Sequence, residues 1–270
     1  MKQHLIKLFP SVLISIFVIS GFNTAHSAEQ DIDNKHHLSC VADNIQIQYE
    51  ITQKSQSSTT HDHDEHQQDN NRTSKRITLV RQGNTVGHIH SGHQIMQSWY
   101  LTPQKKIKPT RYFDAHQRAI EYQPGELIHG QSEQDWSLRY QLISNNLLEQ
   151  LTVKATGGEG CSSWQSLENN TGSFSLTWLP QQRIVQSLSQ HKGNIIETWE
   201  IKNKSHDNEA IKAIFAQREA YQATDFADIG DDHTDPFLTK MVTLGFIEAG
   251  ASGFYNAQGN PLSSGHHHKY

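Results

Sequence analysis

Two cysteines in 270 residues, with no Cys-x-x-Cys pair, leave little room for thiolate chemistry. Zinc ribbons, clustered-thiolate metal sites and thioredoxin-like redox motifs are excluded on that ground. Long hydrophobic runs are equally scarce. Beyond residue 22 no apolar segment approaches the roughly 20 residues that a spanning helix needs. No membrane span is therefore expected in the mature chain. Catalytic signatures are also missing. The sequence has no Gly-x-Ser-x-Gly nucleophile elbow. Gly157-Gly158-Glu159-Gly160 leads into no helix carrying Lys-Ser/Thr, which excludes a P-loop. No internal repeat is visible.

The one long apolar run opens the chain. Lys2 and Lys7 lead into Leu8–Phe22, and Ala25-His26-Ser27 follows. A positive start, an apolar middle and a small-x-small end predict a removable export signal over residues 1–27. No cysteine follows the run directly, so lipid attachment is not expected. The expected location is periplasmic or secreted. Removing residues 1–27 deletes two lysines and no acid, which moves the formal charge from −5 to −7. An acidic exported chain is not expected to bind nucleic acid or an anionic membrane surface. In an oxidising compartment Cys40 and Cys161 are expected to bond to each other. That bond would tie the start of the mature chain to its middle.

Histidine is what the chain has in excess, at 18 of 270 residues. His61-Asp62-His63-Asp64-Glu65-His66 places three imidazoles and three carboxylates side by side, all of them potential metal ligands. Ser55 to Asn70 holds no large apolar residue, so a solvated polar loop accounts for the same composition. A second group is His88, His90 and His93. On a strand His88 and His90 share a face, and Ser91-Gly92 can turn His93 back toward them. The candidate metal ligands are therefore His61, His63, His66, His88, His90 and His93. A second-best metal site is Asp228, Asp231, Asp232 and His233, in a stretch that lacks the EF-hand pattern. Helix-end chemistry explains those acids equally well.

Alternation dominates the rest. Ile45, Ile47, Tyr49 and Ile51 alternate with polar residues, as a half-buried strand does. Residues 76–80 and 85–90 flank Gly83-Asn84 as a hairpin. Residues 95–101, 174–178, 183–188 and 194–201 read as further strands. Residues 136–143 are ambiguous: Ser132-Glu133-Gln134-Asp135 could cap a short helix there, while Leu138, Tyr140 and Leu142 alternate as in a strand, and strand is preferred because Leu147 to Val153 follows across Asn145-Asn146, a turn signal. Helices are predicted over 207–221, capped by Asp207, and from Asp235-Pro236 to Gly245. The expected fold is mainly β (α+β). It is a curved antiparallel sheet or sandwich of about eight strands, with two C-terminal helices packed on it. The expected organisation is a signal at 1–27, an N-terminal arm at 28–43, one β-rich domain at 44–248 with a His-rich insertion at 55–71, and a His-containing tail at 249–270.

Three functions fit. The first is an exported protein that binds or buffers zinc or copper through its His/Asp-rich loops, the metal ion being its partner. The tract at 61–66 resembles the loops of exported zinc-binding proteins. The second is a binding module for a hydrophobic ligand or partner protein, with Trp99, Trp136, Trp178 and Trp199 lining a curved sheet. Residues 174–199 are similar in their alternation to the curved sheets of periplasmic lipoprotein carriers. The third is a metal-dependent hydrolase using Asp114 or Glu121 with His116. No motif supports catalysis.

Overall fold

The structure, a computed structural model, describes residues 40, 43–55, 72–128, 130–229 and 234–247. The predicted signal at 1–27, the arm apart from Cys40 and Asp43, the insertion beyond Ser55 and the tail at 249–270 lie outside the described residues. In chain order the strands and helices are β1 (Asn44–Ser55), β2 (Arg72–Gln82), β3 (Thr85–His90), β4 (Ile95–Leu101), β5 (Ile107–Phe113), β6 (Arg118–Glu121), β7 (Leu127–Ile128), β8 (Gln131–Ser132), α1 (Trp136–Gln141), α2 (Asn145–Gln150), β9 (Thr152–Gly157), β10 (Trp164–Glu168), β11 (Phe174–Leu179), β12 (Ile184–Lys192), β13 (Ile195–Ser205), α3 (Asn208–Glu219), β14 (Gln222–Asp225) and α4 (Pro236–Thr243).

The fold class is the predicted one, but the sheet is larger. Twelve strands hydrogen-bond in the order β14-β6-β5-β4-β3-β2-β1-β13-β12-β11-β10-β9. Neighbouring strands are antiparallel except β14, which pairs parallel to β6. β1 lies in the middle of this order, between β2 and β13, and its burial alternates with period two. Ile45, Ile47, Tyr49 and Ile51 are all buried on one face, here called inner. Val86 and Trp99 follow in register across β3 and β4, and both join the same core.

Two segments differ from expectation. Residues 136–141 and 145–150 are helices, not strands. The Asp135 side chain accepts from Leu138 N at 3.0 Å, and Ser144 Oγ accepts from Leu147 N at 3.0 Å. Capping thus decides both segments, each too short for alternation to distinguish strand from helix. The chain leaves α1 through Leu142 at a φ of 65°. It then sends Ile143 and Leu151 into a cluster with Leu167, Leu176 and Trp178. Both helices therefore serve the inner face.

Both predicted C-terminal helices form, with Asp207 and Asp235 as N-caps and Pro236 at the first helical turn. They cover opposite faces. Ile211 and Phe215 of α3 pack on Val80 and Met96 of the outer face. Phe237, Leu238, Met241 and Val242 of α4 pack on Ile95, Phe113 and Ile120 of the inner one.

Arg81 on β2 reports how the sheet bends. Its side chain is fully buried, and it donates to the carbonyls of Tyr140 (2.8 Å), Gln182 (3.2 Å) and Arg183 (2.5 Å). Residues 182 and 183 lie in the turn before β12. Two strands separate β2 from β12, about 14 Å in a flat sheet at the usual spacing. An arginine side chain is shorter than that, so the sheet curls and the turn folds in over its inner face. Cys40 and Cys161 form the expected disulfide, with Cα atoms 5.2 Å apart. Among the described residues no helix is long and apolar enough to cross a membrane.

Candidate functional site

His88 and His90 share the inner face of β3, as their spacing predicts. They do not share a role. The ring of His88 is buried, 4.7 Å from that of Trp99, and its Nε2 donates to the carbonyl of Arg139 at 2.7 Å. That carbonyl belongs to the last turn of α1, where main-chain acceptors lack intrahelical donors. Arg81 meets the next one, Tyr140 O. The sheet therefore caps the helix with two side chains. Burial, with the charge of Arg139 adding to it, pulls the pKa of His88 down to about 3. His88 is a neutral donor and not a free ligand.

His90 is half-buried at the end of β3. Burial is the main cause holding its pKa below the usual histidine range, and His93, Lys75 and Arg111 add to it. His93 is exposed in the turn that follows, with its ring 6.3 Å from that of Phe246. His88, His90 and His93 are not gathered into a three-ligand group in this structure. Among the described residues no three His, Cys, Asp or Glu side chains are grouped to hold an ion. The physical reason is the commitment of His88 to the end of α1. Of the second-best set, Asp228 sits in a single 3-10 turn (Phe226–Asp228), and Asp231, Asp232 and His233 lie outside the described residues. His61, His63 and His66 lie outside them as well.

The strand register nevertheless gathers imidazoles at one end of the sheet. Ser55 and Arg72 flank the 56–71 segment at the ends of β1 and β2. His191 is level with them. It pairs with Ile196, which shares the register of Lys54, which in turn pairs with Arg72. Asn194 Nδ2 reaches Ser55 Oγ at 3.3 Å beside it. His90, His93 and His116 occupy the same end two hairpins away, because Ile95 pairs with both His90 and Phe113. His90 is level with Ile77, so β2 overhangs it by five residues, Arg72 to Arg76. His93, His116 and His191 are all exposed.

His93 and His116 meet in one cleft of about 140 Å³ between α4 and the ends of β4 and β5. Phe113, Met241 and Phe246 line its apolar part, and Lys240 joins the two imidazoles at its margin. The carbonyl of Phe246 accepts from the Arg111 side chain, which anchors that wall.

Asp114 and Glu121, the two carboxylates considered for catalysis, are engaged elsewhere. Asp114 lies in the turn before β6, where Arg218 donates to it at 2.6 Å and the hydroxyl of Tyr221 at 3.2 Å. Glu121 pairs with Lys108 at 2.7 Å. Glu197 is buried, and burial alone would push its pKa up. Donation from Gln53 (2.6 Å) and Trp199 (3.0 Å), with Lys192 nearby, outweighs this and holds it below the carboxylate range. Trp99 and Trp178 are buried in two separate core clusters, and Trp136 and Trp199 are partly buried against the one that holds Trp99.

Lys240 and Phe246 were not singled out by sequence reasoning, and no local pattern marks them. They become neighbours of His93 only when α4 docks. The place of His191 was readable, because His191-Lys192-Gly193-Asn194 carries the turn signal between two alternating runs. No protein-family model matches the chain, and no curated protein matches it.

Proposed function

We propose that this is an exported metal-binding protein that takes up zinc or copper at the end of the sheet where the His61–His66 tract is attached. The observation supporting this is the register. It returns His191, and further along His90, His93 and His116, to the end where Ser55 and Arg72 anchor the tract. Imidazoles are suited to both ions in a compartment without a reducing thiol pool. His66 is six residues from Arg72, a stretch that spans up to about 20 Å when extended. The overhang of β2 beyond His90 is about 17 Å. Tract and sheet imidazoles are therefore within covalent reach of one another. Metal would compete with protons on the imidazoles, so uptake falls as the pH drops below about 6.5.

Calorimetric titration of Zn²⁺ and Cu²⁺ into the mature chain near neutral pH tests this. His266, His267 and His268 are first replaced by glutamine, so that only the tract and the sheet report. Binding of at least one ion is expected. Replacing His61, His63 and His66 by glutamine should weaken it by roughly tenfold or more, and adding His93→Gln and His191→Gln should weaken it again. No uptake of either ion, or uptake indifferent to the tract, rejects the reading.

A further inference from the structure

The cleft under α4 has a chemistry of its own. Its apolar part is built by Phe113, Met241 and Phe246, and its margin by His93, His116 and Lys240. Among the described residues no carboxylate or thiolate lines it. Two imidazoles without a third ligand fall short of a tetrahedral metal site, and an ammonium repels a cation. An anion is the complementary guest. The lysine supplies charge, and each imidazole offers at least one N–H whatever its protonation state. A carboxylate is acceptor-only and matches such donors. The Phe246 carbonyl is already engaged by Arg111. Size narrows the choice further. The volume, about 140 Å³, is close to the roughly 150 Å³ that admits one benzene ring in an engineered apolar cavity. Leu244, 56 % exposed, adds apolar surface at the lip.

We propose that this cleft binds a small aromatic carboxylate, its ring against Phe246 and Leu244, with Phe113 and Met241 buried behind them, and its carboxylate toward Lys240, His93 and His116. The site needs no metal ion, but it shares His93 and His116 with the metal-binding reading, so it is tested with metal absent.

The test uses the metal-free mature chain with benzoate as the probe, followed by calorimetry and by amide chemical shifts. Benzoate should saturate with a Kd of about 1 mM or below. The shifts it causes should centre on residues 93–95, 113–116 and 240–246. Acetate, which lacks the ring, should bind at least about tenfold more weakly. Lys240→Gln should weaken benzoate by roughly tenfold, and the His93→Gln, His116→Gln pair by roughly threefold or more. Benzyl alcohol, the uncharged analogue, should change by less than about twofold in the same variants. All three replaced side chains are exposed, and shift mapping on the parent chain gives a readout that needs no variant. Four results would each overturn the proposal: no saturation by about 20 mM benzoate, shifts confined to other residues, acetate binding as tightly as benzoate, or benzoate affinity equal in parent and variants.

Discussion

His88 is held neutral by the place it occupies, and this makes the fold sensitive to acid at a single residue. Its pKa is about 3 in the folded chain, against about 6.5 in an unfolded one. A base with a depressed folded pKa stabilises fully above the unfolded value. As the pH falls below about 6.5 the unfolded chain takes up a proton that the native chain refuses. Stability then drops by about 1.4 kcal/mol per pH unit until the folded pKa is reached. Relative to a His88→Gln variant, the parent should therefore lose about 2 kcal/mol more between pH 7 and pH 5. Urea midpoints at the two pH values measure this, and equal losses would show that burial does not hold His88 in its neutral form. Arg81 does the complementary work as a cation. Burial draws it down to about 10, which still leaves it charged at neutral pH, and three carbonyls at separate places fill its fork. Neither role is visible in the local sequence. Both residues sit at ordinary inward positions of strands.

Among the elements, α1 and α2 show how capping outweighs alternation in short segments. Ser137 and Tyr140 are buried three apart on one face of α1, while Leu138 of the same run is 38 % exposed. A strand of six residues and a helix of six residues differ little in apolar pattern, so the side chains of Asp135 and Ser144 decide. The turn after β9 offers a sharper test. Gly158 has a φ of +71°, and a Cβ there would run into the carbonyl oxygen of Ser162. Gly160 has a φ of +51° with open space around it. Alanine at Gly160 should cost about 1 kcal/mol for its left-handed backbone. Alanine at Gly158 should cost about 2–4 kcal/mol, since crowding adds to the same backbone term. Equal costs in denaturant titrations would mean that the Ser162 main chain yields freely.

At the scale of the whole molecule the disulfide joins residues separated by 121 positions. On the chain-entropy model, closing a loop of that length restricts the unfolded chain by about 5 kcal/mol. The Cys40→Ser, Cys161→Ser pair should lower the urea midpoint accordingly, and an unchanged midpoint would show that the bridge constrains nothing the sheet does not already hold. The sequence by itself determined the strand-rich class, the pairing of its two cysteines, the β2–β3 hairpin and both late helices. Each of these rests on local signals: period two, turn residues, caps, and the lack of any third thiol. Tertiary structure decided that twelve strands join one sheet, that α3 and α4 lie on opposite faces, and that His88 is consumed by the end of α1. It also decided that His93 meets His116 and Lys240, although 23 and 147 positions separate them along the chain. These outcomes depend on docking between distant segments. The shape of the partner surface selects such contacts, and no stretch of neighbouring residues encodes it.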